Sequence, residues 1–276
     1  MRFLKMHGAG NDYVYVNGFE ETVSDPAELA IRVSDRNFGI GSDGLVIIRP
    51  SETCDFRMSM YNADGSEAEM CGNASRCVGK YVYDMGMTTK TDLTLETKAG
   101  VKLLKLFVTD GTVSTVCVDM EEPILTPALI PVNAEGDKAI RVPIVVNDIV
   151  YHATCVSMGN PHAVIFVEDV DLFDVHGIGR QIEVHPLFPK RTNVEFVQIV
   201  SPTTLKMRVW ERGSGETLAC GTGACASLVA SVLNGLSERT ATLKLRGGDL
   251  NIEWRESNNR IYMTGGATKV FAGELF

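Results

Sequence analysis

Two cysteines lie in similar surroundings at distant places in the chain. Cys71 follows the segment YNADGSEAEM and Cys220 follows WERGSGETLA, and each is followed directly by a glycine. In both places a strand-like stretch leads through a polar loop to Cys-Gly and then into a helical pattern. The start of a helix favours negative charge, because the helix dipole and unpaired backbone N–H groups point there. We therefore expect a lowered pKa for each thiol, which would make it partly thiolate.

Two such thiols suit the inversion of configuration at a carbon atom. A thiolate removes a proton from one face of the carbon, and a thiol delivers a proton to the other face. The N–H groups at the two helix starts could hold a carboxylate next to that carbon and stabilise the charge that develops in the transition state. This chemistry needs no cofactor and no metal, so we predict neither. Cys71 and Cys220 are the candidate acid/base pair.

The similarity of the two segments continues along the chain at one constant offset. Subtracting 71 from 220 gives 149, and several other pairs of like residues share this spacing. These pairs are Gly10 and Gly159, Asn11 and Asn160, Met58 and Met207, Tyr61 and Trp210, Glu67 and Glu216, and Gly72 and Gly221. A gapless offset that links separated segments indicates a duplicated domain. The proline-containing segment MEEPILTPALIP, which begins at Met120, is interpreted as the linker between the copies.

Strand patterns dominate the elements that must position the thiols. Alternation of apolar and polar residues predicts half-buried strands around Met58 and Met207. Further strands are predicted near 12–17, 45–49, 93–97, 101–107, 113–118, 141–156, 162–167, 194–199, 239–245, 249–254 and 260–264. A capping box with an early proline predicts a helix that starts after Asp25. Helical spacing of apolar residues predicts helices over 78–85 and 228–233.

Composition excludes several classes of protein. The chain has 276 residues, 26 Lys and Arg against 35 Asp and Glu, and a net charge of −9, with no basic cluster to bind nucleic acid. No apolar run is long enough for a membrane span, and the N-terminus becomes polar too early for a signal peptide. The odd number of seven cysteines, with no C-x-x-C pair, favours free thiols. We expect a cytoplasmic protein with a small-molecule substrate and no nucleic-acid or membrane partner.

Five motifs together carry a family resemblance over nearly the whole chain. They are MHGAGNDYV, NADGSEAEMCGNASRC, SMGNPHAV, RTNVEF and ERGSGETLACGTGACA. With these motifs the chain resembles the diaminopimelate epimerase family. The resemblance implies a cofactor-independent epimerase that interconverts LL- and meso-2,6-diaminopimelate in the synthesis of lysine and peptidoglycan precursors. It also implies a homodimer.

The resemblance further implies an α+β fold with two pseudo-symmetric domains. Each domain would be a curled, mostly antiparallel, barrel-like sheet around a central helix, with the active site in the cleft between the domains. We expect the N-terminal domain to span 1–119 with a C-terminal return over 266–276, and to carry Cys71. The C-terminal domain, over 120–265, would carry Cys220.

Roles for single residues follow from the same resemblance. Cys71 matches the proton donor for the LL substrate and Cys220 the proton acceptor, while His162 and Glu211 match groups that tune the two thiols. Backbone groups that hold the reacting carboxylate match Gly72, Asn73, Gly221 and Thr222. Contacts to the distal end of the substrate match Asn11, Asn62 and Asn193, a further amide contact matches Asn160, and the clamp on the distal carboxylate matches Arg212. A planar fork of donors suits that clamp.

One position departs from the family pattern. Many members carry Gln at the position of Gly44, where it contacts substrate. Glycine offers only its backbone, so we expect that contact to be absent here or to be made by another group.

Other interpretations of these residues remain open from the sequence. An Asn after Gly is often a turn residue, a His beside Pro is often a loop residue, and Glu211 with Arg212 could be a solvated pair. Proline or hydroxyproline racemisation, or racemisation of a histidine-type amino acid, would use the same pair of thiols on a smaller substrate. A thiol redox sensor is an alternative from another class, since two facing thiols can form a disulfide.

Overall fold

The computed structural model describes all 276 residues, from Met1 to Phe276. Eighteen strands, four α-helices and one short 3₁₀ turn, Pro127–Leu129, make up the fold. The strands are β1 Arg2–Gly8, β2 Asn11–Asn17, β3 Gly44–Arg49, β4 Phe56–Asn62, β5 Glu67–Ala68, β6 Asp92–Thr97, β7 Gly100–Thr109, β8 Thr112–Asp119, β9 Val142–Val146, β10 Ile149–Ser157, β11 Pro161–Phe166, β12 Asn193–Ser201, β13 Thr204–Glu211, β14 Gly215–Thr217, β15 Thr240–Leu245, β16 Gly248–Trp254, β17 Ile261–Gly265 and β18 Thr268–Glu274. The helices are α1 Pro26–Ser34, α2 Gly72–Asp84, α3 Val175–Glu183 and α4 Gly221–Leu233.

The chain divides into two compact units. The first contains Met1–Asp119 and Thr264–Phe276, and the second contains Met120–Met263. In the first unit β1 pairs antiparallel with β2 and β18, β3 with β4, β4 with β5, and β7 with β6 and β8. Parallel pairs join β2 to β3 and β4 to β6. The sheet of this unit is therefore mixed and mostly antiparallel.

The second unit repeats this order of pairing. Antiparallel pairs join β10 to β9 and β11, β12 to β13, β13 to β14, and β15 to β16. The parallel pairs, β11 with β12 and β13 with β15, fall at the same two places as in the first unit. The helices α2 and α4 start 149 residues apart (221 − 72) and end 149 residues apart (233 − 84). The predicted duplication and the predicted α+β class are confirmed.

One helix in each unit is buried against several strands. In the first unit α2 packs on β1, β2, β7 and β8. In the second unit α4 packs on β10, β11, β12, β13, β15 and β16. Nearly all side chains of α2 are buried, including Ala74, Cys77 and Val78, and the same holds for α4. Burial of these faces fixes the first turn of each helix, and therefore the cysteine before it, on a packed core.

A second helix in each unit is peripheral and begins at an aspartate cap. Asp25 accepts the backbone N–H of Glu28 at 3.0 Å, as the capping box of α1 predicts. Asp174 accepts the N–H of Gly177 at 2.8 Å and starts α3, which the sequence analysis did not predict. Two glycines within α3 obscure its helical pattern, although its buried side chains Val175, Ile178 and Ile182 follow helical spacing.

Two expectations about local structure were wrong. The strand predicted over 141–156 is a hairpin, because Asn147 and Asp148 have positive φ angles of 51° and 61° and turn the chain between β9 and β10. The segment interpreted as a linker is packed into the second unit. Its Ile124 bonds backbone to backbone with Ser157 at 2.9 Å, and Ile130 is buried in the core.

Three general properties of the chain bear on the site. All seven cysteines are free thiols. No group of three or more His, Cys, Asp or Glu side chains has the arrangement of a metal site. No helix has both the length and the apolar character that crossing a membrane requires.

Candidate active site

The two candidate cysteines occupy equivalent positions, one residue before a buried helix. Cys71 is the N-cap of α2, with φ −139° and ψ 122°, and its carbonyl accepts the N–H of Ser75 at 2.9 Å. Cys220 is the N-cap of α4, with φ −122° and ψ 111°, and its carbonyl accepts the N–H of Ala224 at 2.9 Å. The predicted position of each thiol at a helix start is confirmed. Because the first N–H groups of a helix lack intrahelical partners, each thiol lies beside unpaired donors.

In the first unit, Cys71 lies against two asparagines, and these three residues are called here the Cys71 cluster. Asn11 Oδ1 is 3.3 Å from Cys71 Sγ and accepts the thiol hydrogen. The same oxygen lies 3.4 Å from Asn73 Nδ2. The cluster joins the start of β2 to the first turn of α2, so three predicted site residues are brought together here.

Charged groups at each end of the Cys71 cluster fix the orientation of its amides. Asp43 Oδ2 accepts from Asn11 Nδ2 at 2.8 Å, and Arg76 Nη2 donates to Asn73 Oδ1 at 2.9 Å. A carboxylate can only accept when ionised and a guanidinium can only donate. The oxygen of Asn11 is therefore turned toward Cys71. Neither Asp43 nor the fully buried Arg76 was a predicted site residue.

Asn62 lies outside the Cys71 cluster as defined above. It ends β4 and donates through Nδ2 to Ser66 Oγ at 3.0 Å, within its own turn.

Gly44 has a steric reason to be glycine. It lies opposite Asn62 in the β3–β4 pair. A Cβ at Gly44 would overlap the carbonyl oxygen of Tyr61 and the ring of Tyr13. This backbone therefore admits no side chain at position 44.

In the second unit, Cys220 has partners from its own helix. Its Sγ accepts the N–H of Gly223 at 3.4 Å and lies 3.5 Å from Thr222 Oγ1. Asn160 Nδ2 donates to Thr222 Oγ1 at 3.3 Å. This contact repeats the one between Asn11 and Asn73, since both members are offset by 149.

A buried hydrogen-bonded pair lies beside these residues. His162 and Glu195 are both fully buried, and His162 Nδ1 is 2.7 Å from Glu195 Oε1. His162 Nε2 lies 3.0 Å from Asn160 Oδ1. Both ring nitrogens thus face oxygen atoms. The Cys220 cluster is defined here as Cys220, Thr222, Asn160, His162, Glu195 and Glu211.

Glu211, at the end of β13, lies beside the Cys220 thiol. Thr217 donates a hydrogen bond to its Oε1. Burial raises the pKa of Glu211, and the neighbouring Thr217 hydroxyl and Cys220 thiol act against this rise. Burial also raises the pKa of the Cys220 thiol well above its usual range, and the negative charges of Glu211 and Glu195 add to this.

The expectation of a lowered pKa was therefore wrong for Cys220. The helix start does favour the thiolate, and the N–H of Gly223 contributes in that direction. Burial of the thiol away from water and the charges of two nearby carboxylates outweigh this stabilisation of the thiolate. Burial and the charges of these carboxylates therefore favour the thiol form of Cys220.

Arg212 and Asn193 are brought together at the end of β13. Asn193 Oδ1 accepts the backbone N–H of Arg212 at 2.9 Å, and Asn193 Nδ2 donates to the carbonyl of Pro161 at 2.8 Å. The Arg212 side chain is exposed, and its Nη1 donates to the carbonyl of Lys190 at 3.2 Å. Glu183 holds the following turn by accepting the N–H of Gly213 at 3.0 Å. The guanidinium thus projects from a fixed backbone and remains accessible to solvent.

Sequence reasoning missed Glu195, although it quoted the RTNVEF run that contains this residue. A Glu between Val194 and Phe196 is a signal in retrospect, because both strand faces of this run are apolar. A charge in such a run is buried only when it has a partner. His162, on the adjacent parallel strand β11, is that partner.

A family model and several curated relatives match this chain. The family described as diaminopimelate epimerase matches residues 3–126 and 154–270. A diaminopimelate epimerase of Acetivibrio thermocellus is 65% identical over 275 residues, which cover 100% of this chain and 98% of that protein. Those of Desulfovibrio desulfuricans and Methanococcus maripaludis are each 58% identical, with 100% of this chain covered and 98% and 99% of theirs.

Solved structures of lower identity share the fold. A phenazine biosynthesis protein of the PhzF family from Bacillus anthracis has a TM-score of 0.74 at 16% identity, covering 100% of this chain and 99% of its own. A hydroxyproline epimerase from Agrobacterium vitis has a TM-score of 0.69 at 15% identity, covering 100% and 90%. At such identities the likeness concerns the fold alone.

The duplicated fold and the full-length matches define the class of this protein, which is an isomerase of the amino-acid epimerase type. The chain belongs to the diaminopimelate epimerase family.

Proposed function

We propose that this enzyme interconverts LL- and meso-2,6-diaminopimelate with Cys71 and Cys220 as its two acid/base groups. The observation that carries the proposal is the equivalent placement of the two thiols, each the N-cap of a buried helix in one copy of a duplicated unit. Membership of the family supports the choice of substrate. The thiols supply both acid and base, so the proposed reaction uses no cofactor.

In the LL-to-meso direction, Cys220 acts as a thiolate and takes the proton from the α-carbon. The electron pair of the broken C–H bond moves toward the neighbouring carboxylate. Cys71, as a thiol, then delivers its proton to the opposite face and becomes a thiolate. Over one turnover the enzyme has gained a proton on Cys220 and lost one from Cys71, and exchange with solvent restores the starting form. The reverse reaction exchanges the two roles.

The position of Glu211 beside Cys220 supports a route for forming the Cys220 thiolate. The raised pKa of Glu211 makes its carboxylate a better proton acceptor than an ordinary carboxylate. Proton transfer is most efficient between groups whose pKa values are close. Glu211 would therefore take the proton of Cys220 when the thiolate is needed.

The reacting carboxylate would lie at the two helix starts. Backbone N–H groups of Gly72, Asn73, Gly221 and Thr222 belong to the first turns of α2 and α4, where donors are unpaired. Donors placed in this way stabilise the charge that builds up on the carboxylate as the α-proton leaves. We propose this as the main source of transition-state stabilisation.

The other end of the substrate would be recognised by Arg212 and by amide side chains. The guanidinium of Arg212 is exposed to solvent and could form a bidentate contact with the distal carboxylate. Asn193, which already fixes the Arg212 backbone, would contribute with Asn11, Asn62 and Asn160. A proline-sized substrate has no second carboxylate for Arg212 to bind.

The cellular setting is also a proposal. We infer that the enzyme works in the cytoplasm as a homodimer and supplies meso-diaminopimelate for lysine and peptidoglycan synthesis. Family membership supports this inference. Light scattering on the purified protein would test the dimer directly, and a single species of monomer mass would contradict it.

The reaction itself is tested by product composition. The reduced protein is incubated separately with LL-diaminopimelate, meso-diaminopimelate, proline, hydroxyproline and histidine, and the isomers are separated chromatographically. We expect both diaminopimelate isomers to converge on one mixture while the other amino acids stay unchanged. Turnover of proline, hydroxyproline or histidine alone would assign the sister activity. No turnover of any of them, with redox-dependent binding of a protein partner instead, would favour a thiol sensor.

A further inference from the structure

Glu195 is a buried carboxylate in the middle of β12 with only half of its hydrogen-bonding capacity used. Its side chain is fully shielded from solvent. Oε1 is bonded to His162 Nδ1 at 2.7 Å, whereas Oε2 is buried without a hydrogen-bond partner. A charge in such a place is costly, and an unsatisfied oxygen adds to the cost. Because burying this carboxylate destabilises the fold, we expect Glu195 to have a function other than packing.

The carboxylate lies close to the sulfur of Cys220. A Cβ built on Gly223 would lie 2.6 Å from Glu195 Oε1 and 3.2 Å from Cys220 Sγ. The oxygen and the sulfur therefore border the same small space beside Gly223. Only glycine leaves that space open, so the helix can approach the carboxylate this closely.

A chain of polar contacts gives a second connection. His162, bonded to Glu195, has its Nε2 3.0 Å from Asn160 Oδ1. Asn160 Nδ2 in turn donates to Thr222 Oγ1 at 3.3 Å. Thr222 Oγ1 lies 3.5 Å from Cys220 Sγ. Glu195 thus sets the orientation of His162 from behind, and His162 in turn fixes the amide of Asn160.

The first copy has no counterpart of this pair. The positions 149 residues earlier are Val46 and Tyr13, both buried and neither charged at neutral pH. A valine therefore satisfies the packing of this strand position in the first unit. The carboxylate of Glu195 is a property of the Cys220 side, as is that of Glu211, whose counterpart 149 residues earlier is Asn62. These groups distinguish the two thiols.

We propose that Glu195 is a positioning residue of the Cys220 cluster, whose buried charge holds His162 and keeps the proton of Cys220 on sulfur until substrate is bound. The groups that face Cys220 are Glu211 from β13, Glu195 from β12, and Thr222 and Gly223 from its own helix. His162 from β11 faces Glu195 and acts on Glu211. Glu195 also faces the buried thiol of Cys155 from β10, whose pKa burial raises to about 12. The expected effect of Glu195 on turnover rests on the proposed function, whereas its expected effect on the Cys220 thiol does not.

The test follows the reactivity of Cys220 without any substrate. In a Cys71→Ala background, the rate of iodoacetamide modification of Cys220, located by peptide mass spectrometry, is measured against pH. In Glu195→Gln, which has the same shape without the charge, we expect the midpoint to fall by about half a pH unit or more. Glu195→Asp keeps the charge but withdraws from His162, so we expect a midpoint near that of the parent. Glu253→Gln, on strand β16 and partly exposed, is the matched control and should leave the curve unchanged.

A second measurement uses the full enzyme with both cysteines. We expect Glu195→Asp to lower kcat for diaminopimelate more than it raises KM, since His162 is displaced and Asn160 is only one of several proposed substrate contacts. The proposal would be overturned if the alkylation curve of Glu195→Gln coincided with that of the parent. It would also be overturned if the alkylation curve of Glu195→Asp moved to lower pH by half a unit. Absence of turnover by the unaltered protein would refute the proposed function instead, and the alkylation result would stand.

Discussion

The buried carboxylate of Glu211 lies beside the buried thiol of Cys220, and its charge raises the pKa of that thiol. Burial contributes most to the raised pKa of this thiol, and the charge of Glu211 contributes next. The base of the proposed LL-to-meso reaction is therefore stored as its conjugate acid, beside the group that can take its proton. Thiolate formation is linked to events at Glu211 and not only to solution pH.

Replacing Glu211 by Gln removes a negative charge next to Cys220. The thiolate is then less disfavoured, so its pKa falls and alkylation of Cys220 in a Cys71→Ala background begins at lower pH. We expect a shift on the order of one pH unit. Interconversion of diaminopimelate by the variant with both cysteines should fall by roughly 100-fold, because the acceptor of the Cys220 proton is lost.

The direction of this pH shift in Cys220 alkylation tests whether Glu211 acts on Cys220 through its charge. A curve that stays in place, or that moves to higher pH, would show that Glu211 does not act on Cys220 through its charge. Arg255 partners Glu253 on the surface of the same unit, so Glu253→Gln again provides a control with an unchanged curve.

Arg212 is predicted to act on binding more than on the chemical step. Its guanidinium is exposed and its backbone is fixed by Asn193, so Arg212→Ala should leave the fold intact. Loss of a charge-assisted contact to the distal carboxylate should raise KM about 10- to 100-fold. Arg212→Lys should recover only part of this, because an ammonium cannot form the bidentate contact.

Steady-state kinetics on both isomers check this expectation. Arg246→Ala, another exposed arginine of the same unit, should behave as the parent enzyme. If Arg212→Ala leaves KM unchanged, or loses kcat alone, the distal carboxylate is bound elsewhere.

The repeat made half of the site predictable. Cys71 and Cys220, with Asn11 and Asn160, share one offset, and the structure gives each pair equivalent contacts. A repeat reveals such symmetric features because chance does not reproduce them at a fixed spacing. The two helix starts were predictable for the same reason.

The asymmetric part of the site could not be derived in this way. The pKa of Cys220 depends on burial and on Glu195, which no local pattern places beside the sulfur. The contact of Glu195 with His162 joins two strands that are 33 residues apart in sequence. The helix α3 was missed because its glycines conceal the pattern, and the turn at Asn147 because a continuous strand-like composition runs through it. In each case tertiary contacts outweigh local propensity.

The proposed mechanism predicts that oxidation inactivates the enzyme. The proposed mechanism brings both thiols to one carbon, so we expect oxidation to join them in a disulfide when no substrate is bound. Treatment with diamide should abolish activity and join the peptides of Cys71 and Cys220, with recovery in dithiothreitol. A substrate analogue should protect both thiols. Oxidative inactivation without a bond between the peptides of Cys71 and Cys220, or with a disulfide to another cysteine, would contradict this prediction.

A glycine in α3 gives a prediction about stability. A Cβ at Gly179 would lie 2.6 Å from Cβ of Trp210 on β13, so helix and strand are in close contact there. Gly179→Ala gains helix propensity of roughly 1 kcal/mol but must push the helix away. We expect a net loss of about 1–2 kcal/mol in the free energy of unfolding, measured in urea.

The matched control for this variant is Gly266→Ala. No atom lies within 4 Å of a Cβ at that position, so its urea midpoint should stay close to that of the parent. A Gly179→Ala protein as stable as the parent would show that the packing of α3 on β13 can relax at little cost.

Proton exchange in deuterium oxide tests the two-thiol account most directly. LL- and meso-diaminopimelate are incubated separately with the reduced enzyme, and the α-proton signals and isomer ratio are followed by NMR. The account predicts that the first product molecules carry deuterium at the inverted carbon, while the remaining substrate still carries its proton. Cys71 and Cys220 exchange their own hydrogens with solvent before delivering them, which is why only the product is labelled early. Deuterium that appears in substrate and product at equal early rates would indicate a single base, and inversion without any exchange would rule out proton abstraction by either thiol.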